Sequence, residues 1–158
     1  MASASFPNTN SGSVDLDNIL SNFICVASAL DSSGVGNKGN QILVAEGTYK
    51  PAEAPSGSSQ RDYAFHVNDK DVVVSGGWDA SEGTQTGAAT ILSGDVDGSG
   101  TDDTYHILVM SDVTSSTSIE DVTIKKALGN GSGSLSYDSK TMSDKWGAVV
   151  VLDGAASF

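Results

Sequence analysis

Residues 94–107, GDVDGSGTDDTYHI, carry four carboxylates between two β-branched, apolar runs. Asp95, Asp97 and Ser99 place oxygen ligands at alternate positions, and Gly100 follows where a sharp turn is needed, which is the first half of an EF-type calcium loop. Thr101 offers a carbonyl and Asp103 a further oxygen. The second half departs from the pattern: His106 stands where a bidentate Glu belongs, and the flanking runs have strand rather than helix character. The chemistry to expect is Ca²⁺ held by Asp95, Asp97, Ser99, Thr101 and Asp103, set against a solvated acidic turn.

Other residue types narrow the options. His66 and His106 are the only histidines, each beside an aromatic residue in a strand-like run. They could form a metal site or an acid–base couple, but strand alternation favours packing. No Cys/His spacing suits zinc. Trp78, Tyr105 and Trp146 are the candidate sugar contacts, since aromatic faces stack on pyranose rings and equally plug corners of a fold. Arg61 is the single arginine, outside any acidic cluster, and the adjacent Asp102 and Asp103 point apart on a strand, so no catalytic residue is assigned. Thr84 and Thr86 make one Thr-x-Thr step with no row to extend it. The lone Cys25 excludes an internal disulfide framework.

These groups need elements to hold them, and the chain has room for one domain at 158 residues. Eighteen glycines and abundant Ser, Thr, Asp and Asn indicate turns instead of long helices. A net charge of -12 repels phosphate backbones and argues against a nucleic-acid partner. No stretch is apolar for the roughly 18 residues of a membrane helix, and the opening MASASFPNTNSG lacks signal-peptide character.

Along the chain, residues 1–13 read as a flexible lead and 14–158 as one domain. Leu16, Ile19, Leu20, Phe23, Ala27 and Leu30 fall on one stripe, predicting a helix over 14–30 capped by Ser13. Seven short strands are expected thereafter, at 41–45, 63–67, 72–75, 89–92, 105–110, 119–124 and 148–152, with long loops at 52–61 and 128–145. The general absence of Asn-Gly or Asp-Gly hairpin loops argues against a meander. Short strands with polar, Gly-rich corners suit a sandwich or a solenoid and favour the solenoid, with the helix laid over the apolar end of its first coil. The fold class predicted is all-β, a right-handed parallel β-helix with an N-terminal capping helix.

The ordered segments NQILVAEGTYKP, AFHVNDKDVVVSGGWD, ATILSGDVDG with TYHILV, and SIEDVTIKKALGNGSG resemble the start of bacterial right-handed parallel β-helix surface proteins. These are the pectin-lyase-like group related to polymorphic outer membrane proteins. WGAVVVLDG reads as one more coil. The resemblance implies a secreted or cell-surface, noncatalytic structural and adhesive module that grips polysaccharide. The alternative it implies is a polysaccharide lyase or glycoside hydrolase, although no NTD or GHG signature is present. If 148–152 is the last coil, its open edge invites pairing, so the expectation is a homodimer through the C-terminal coil or a piece of a longer surface protein.

Overall fold

A computed structural model describes residues 40–54, 59–68, 72–79, 84–101 and 104–158. The expected lead at 1–13, the helix at 14–30, Cys25 and Asp103 lie outside them. Within the described residues the chain is all-β, as expected: eleven strands and one short 3-10 turn, Gln60–Asp62. The strands are β1 (Asn40–Ala45), β2 (Gly47–Tyr49), β3 (Phe65–Asn68), β4 (Val72–Trp78), β5 (Thr90–Ser93) and β6 (Leu108–Ser111). They continue as β7 (Ser118–Glu120), β8 (Val122–Lys125), β9 (Ser134–Tyr137), β10 (Lys140–Ser143) and β11 (Val149–Leu152).

These strands form small sheets. Three are parallel and three-stranded, in the orders β1-β4-β7, β2-β5-β8 and β3-β6-β11, and the fourth is the antiparallel pair β9-β10. Each parallel sheet takes its strands from successive stretches of chain in the same sequence. Register stacks like on like: Ile42 beside Val74 and Val74 beside Ile119, Tyr49 beside Leu92 and Leu92 beside Ile124, Phe65 beside Leu108 and Leu108 beside Val149. One core cluster gathers Ile42, Phe65, Leu92, Leu108, Met110 and Ile119, drawn from all three sheets. A gap of about 40 Å³ remains among Ile42, Val44, Phe65, Leu92 and Val122.

Local conformation explains where strands stop. The run expected as one strand at 119–124 is cut at Asp121, whose φ of 55° turns the chain from β7 into β8. Asp tolerates this left-handed region better than most residues do. Asp112 and Asp153, at φ 52° and 54°, follow β6 and β11 at matched positions, since Ser111 pairs with Leu152. Gly76 and Gly94 allow close approach. A Cβ on Gly76 would collide with the Asp121 carbonyl, and one on Gly94 with the Lys126 carbonyl and the Thr104 hydroxyl.

The loop expected at 128–145 contains a hairpin. β9 and β10 are joined by Asp138 and Ser139, at φ 48° and 62°, the two positive values a type I′ turn requires. Tyr137 and Met142 of this hairpin form a second cluster with Ala64, Val109, Val150 and Leu152, on the side of the β3-β6-β11 sheet away from the main core. Burial on both faces accounts for the unbroken apolar runs of β6 and β11. The tail DGAASF does not hang free: Ser157 pairs beside Ser118, with Ile119 N–H donating to the Ser157 carbonyl at 2.9 Å.

Candidate functional site

Three long connections leave the β2-β5-β8 sheet and enter the β3-β6-β11 sheet: residues 50–64, 94–107 and 126–148. By contrast, a single residue joins β1 to β2 and β7 to β8. Parallel pairing keeps strand ends in line, so the long connections emerge side by side. Backbone bonds tie them together: Tyr105 N–H donates to the Arg61 carbonyl at 2.8 Å, and Leu128 N–H to the Thr104 carbonyl at 2.8 Å.

Arg61 centres the cluster. The capping box of Ser59 and Asp62 shapes the 3-10 turn that carries it. Its guanidinium lies 4.2 Å from the Tyr105 ring centroid, a cation–π distance, and its Nη2 donates to the Leu128 carbonyl at 3.0 Å and to Asn130 Oδ1 at 2.7 Å. Gly131 packs so closely that a Cβ there would sit 2.8 Å from Tyr105 Cε1 and 2.7 Å from Asp144 Oδ2. Asp144 is buried; its Oδ2 accepts the Gly133 N–H at 3.1 Å, while Oδ1 has no hydrogen-bond partner. Two residues on, Trp146 is 46% exposed, and Leu128 is 41% exposed. One face of Tyr105 is thus taken by Arg61, and Trp146 is the open aromatic platform.

Of the aromatic candidates, Tyr105 belongs to this cluster, the Trp146 carbonyl borders it at Gly129, and Trp78 stands apart. Trp78 ends β4 at another corner, half-buried, with its Nε1–H donating to Ser75 Oγ at 3.1 Å and its carbonyl accepting the Glu46 N–H at 2.9 Å. Sequence reasoning missed Asn130 and Asp144 and weighed Arg61 only as a catalytic base. Their proximity arises from topology, and no spacing in the chain announces it.

The acidic loop folds around its own groups. Asp95 is buried, with Oδ2 paired to Lys126 Nζ at 2.7 Å and Oδ1 accepting the Gly100 N–H at 3.2 Å. The hydrogen bond from Lys126 holds the Asp95 carboxyl below the usual carboxylate range, with the Gly100 N–H contributing against the cost of desolvation. Asp97 Oδ1 accepts the Ser99 N–H at 2.7 Å, and the Ser99 and Thr101 hydroxyls lie 2.6 Å apart. Lys126 therefore supplies the positive charge at Asp95. Among the described residues no three His, Cys, Asp or Glu side chains are grouped to hold a metal ion.

Other polar clusters serve the architecture. His106 Nδ1 meets the Gly147 carbonyl at 3.0 Å, and His66 meets the Tyr137 ring in a T-shaped contact at 5.4 Å, while His66 Nδ1 and His106 Nε2 are buried without a hydrogen-bond partner among the described residues. Lys140 Nζ bridges Asp112 at 2.7 Å, Ser111 Oγ at 3.1 Å and Asp138 at 3.3 Å. Its pKa is raised, chiefly by the Asp112 hydrogen bond. These contacts, with Ser111 fully buried, latch the hairpin tip to β6.

Comparison with known protein families, with curated proteins and with solved structures finds no match for this chain.

Proposed function

We propose that the three parallel sheets are the faces of a short right-handed parallel β-helix, and that it serves as a noncatalytic structural and adhesive module, secreted or displayed at a cell surface, that grips polysaccharide. Strand pairing in the cycle β1-β4-β7, β2-β5-β8 and β3-β6-β11 supports the winding, and the right hand follows the general rule for parallel crossovers. The likeness to pectin-lyase-like surface proteins points the same way.

One observation carries the binding reading: the three long connections gather on one side, where Trp146 and Leu128 are exposed and the Trp146 carbonyl packs against Gly129. An exposed indole offers the face on which a sugar ring stacks. Arg61 is occupied by Tyr105, Leu128 and Asn130, which weakens the alternative of a uronate lyase that needs a free basic group.

A glycan array followed by calorimetry tests this reading. Binding of a polysaccharide by the parent chain, reduced about tenfold or more by Trp146→Ala, is the expected result; a stacking contact of ~1.4 kcal/mol corresponds to that factor. Absence of binding across the array overturns it. Release of unsaturated or reducing ends from the same glycans favours the lyase or hydrolase instead.

A further inference from the structure

The sequence holds one Asn-Gly step, Asn130-Gly131, and the fold sets it in the connection between β8 and β9. Asn130 is exposed and Gly131 is buried. The Asn130 N–H donates back to the Leu128 carbonyl at 2.8 Å, which makes a tight turn just before the pair. Gly131 has no slack, since a Cβ on it would sit 2.5 Å from Asp144 Cβ and 2.8 Å from Tyr105 Cε1. Asn130 Oδ1 accepts from Arg61 Nη2 at 2.7 Å, and the same Nη2 is anchored on the Leu128 carbonyl at 3.0 Å. Stacking on Tyr105 steadies the guanidinium further. A fixed cation therefore rests on the side-chain carbonyl of an asparagine whose successor has no side chain to shield its own backbone nitrogen.

We propose that Asn130 is a self-modifying site, at which the Gly131 nitrogen closes on the side-chain amide and Arg61 stabilises the closure. The Gly131 nitrogen gives up its proton and bonds to Asn130 Cγ, while the electron pair of the Cγ=Oδ1 bond moves onto Oδ1. That oxygen is the one Arg61 faces, and a preplaced charged donor at a developing oxyanion lowers the barrier to forming it. As the carbonyl re-forms, the Cγ–Nδ2 bond breaks and Nδ2 leaves as ammonia, carrying the proton and leaving a cyclic imide. Water then opens the ring. Attack at Cγ restores an ordinary chain with aspartate at position 130; attack at the backbone carbonyl of the same residue routes the chain through Cγ, as isoaspartate. The first product puts a carboxylate under Arg61 in place of a neutral acceptor, which strengthens their pairing. The second lengthens the chain just before Gly131, where the packing against Asp144 and Tyr105 leaves no room, and so loosens the connection that also bears Leu128. The reaction does not depend on whether the module grips a polysaccharide.

Peptide mapping by mass spectrometry of the full chain, incubated at mildly alkaline pH, tests the proposal. The expected result is exchange of the Asn130 amide for a carboxyl, with aspartate and isoaspartate peptides separated by chromatography and a rate that climbs with pH. Conversion in the folded chain should run about tenfold faster than in the same chain unfolded in guanidinium chloride, where Arg61 no longer meets Asn130. Arg61→Met, which keeps an unbranched stem beside Tyr105 and removes the donor, should bring the folded rate down to the unfolded one. Asn130 left intact through the incubation, or converted no faster in the fold than in the open chain, overturns the proposal. So does an Arg61→Met chain, folded by circular dichroism, that reacts at the parent rate. The comparison of folded with unfolded parent decides the matter even if that variant fails to fold.

Discussion

At the scale of single residues, two glycines set how tightly successive strands approach. Gly76 and Gly94 face backbone carbonyls so near that any side chain must push β8 and its flanks away. Gly76→Ala and Gly94→Ala are each expected to cost ~1–3 kcal/mol, the range for forced overpacking. Gly147→Ala, whose nearest neighbour to a new Cβ is the Val149 carbonyl at 3.8 Å, is expected to change stability by less than about 0.5 kcal/mol. Urea unfolding of the three variants checks the contrast. Asp95 belongs to the same scale. Its carboxyl titrates lower in the fold than in the open chain, so its contribution is present above the unfolded value near 4 and is lost as pH falls through the folded one.

The hairpin is the element on which pH acts from the alkaline side. Burial, with the charge of Asp138 added, pushes the Tyr137 phenol up to about 12. The unfolded chain loses that proton near 10, so stability falls as pH rises from about 10 toward the folded value. Lys140 has the same sign: its raised pKa stabilises below the ordinary lysine range, and the contribution is lost above it. Amides of β9 and β10 should therefore gain exchange rate above about pH 10 before those of β6 do, and Tyr137→Phe should delay the change. Hydrogen exchange followed by mass spectrometry measures both. This hairpin was not legible in the sequence, because Asp-Ser lacks the Asn-Gly signal and the stretch reads as polar loop. β4, β5, β6 and β11 were legible from their Val, Ile and Leu runs. The corner at Asp121 was hidden, since V-T-I-K continues the alternation of S-I-E across it. Most of the cluster around Arg61 was hidden too: Arg61 and Tyr105 meet only because parallel register stacks loops that are remote in sequence.

For the molecule as a whole, the net charge of -12 ranks the polysaccharides that the proposed module would grip. Repulsion of like charge is screened within about 8 Å at physiological salt and reaches much further when salt is low. Neutral polysaccharides should therefore bind with an affinity nearly independent of ionic strength. Acidic ones should bind more weakly as salt is removed. Calorimetry at two salt concentrations distinguishes the cases, and tighter binding of a uronate polymer at low salt would point to a basic patch elsewhere in the chain.

The cover over the β3-β6-β11 sheet also bears on how the chain is made. β6 leaves the ribosome before the residues of β9 and β10 that shield Val109, so a nascent chain displays a greasy ribbon until the hairpin clicks shut. The interval between the two is the dangerous one for this protein, and a slow turn at Asp138-Ser139 would lengthen it.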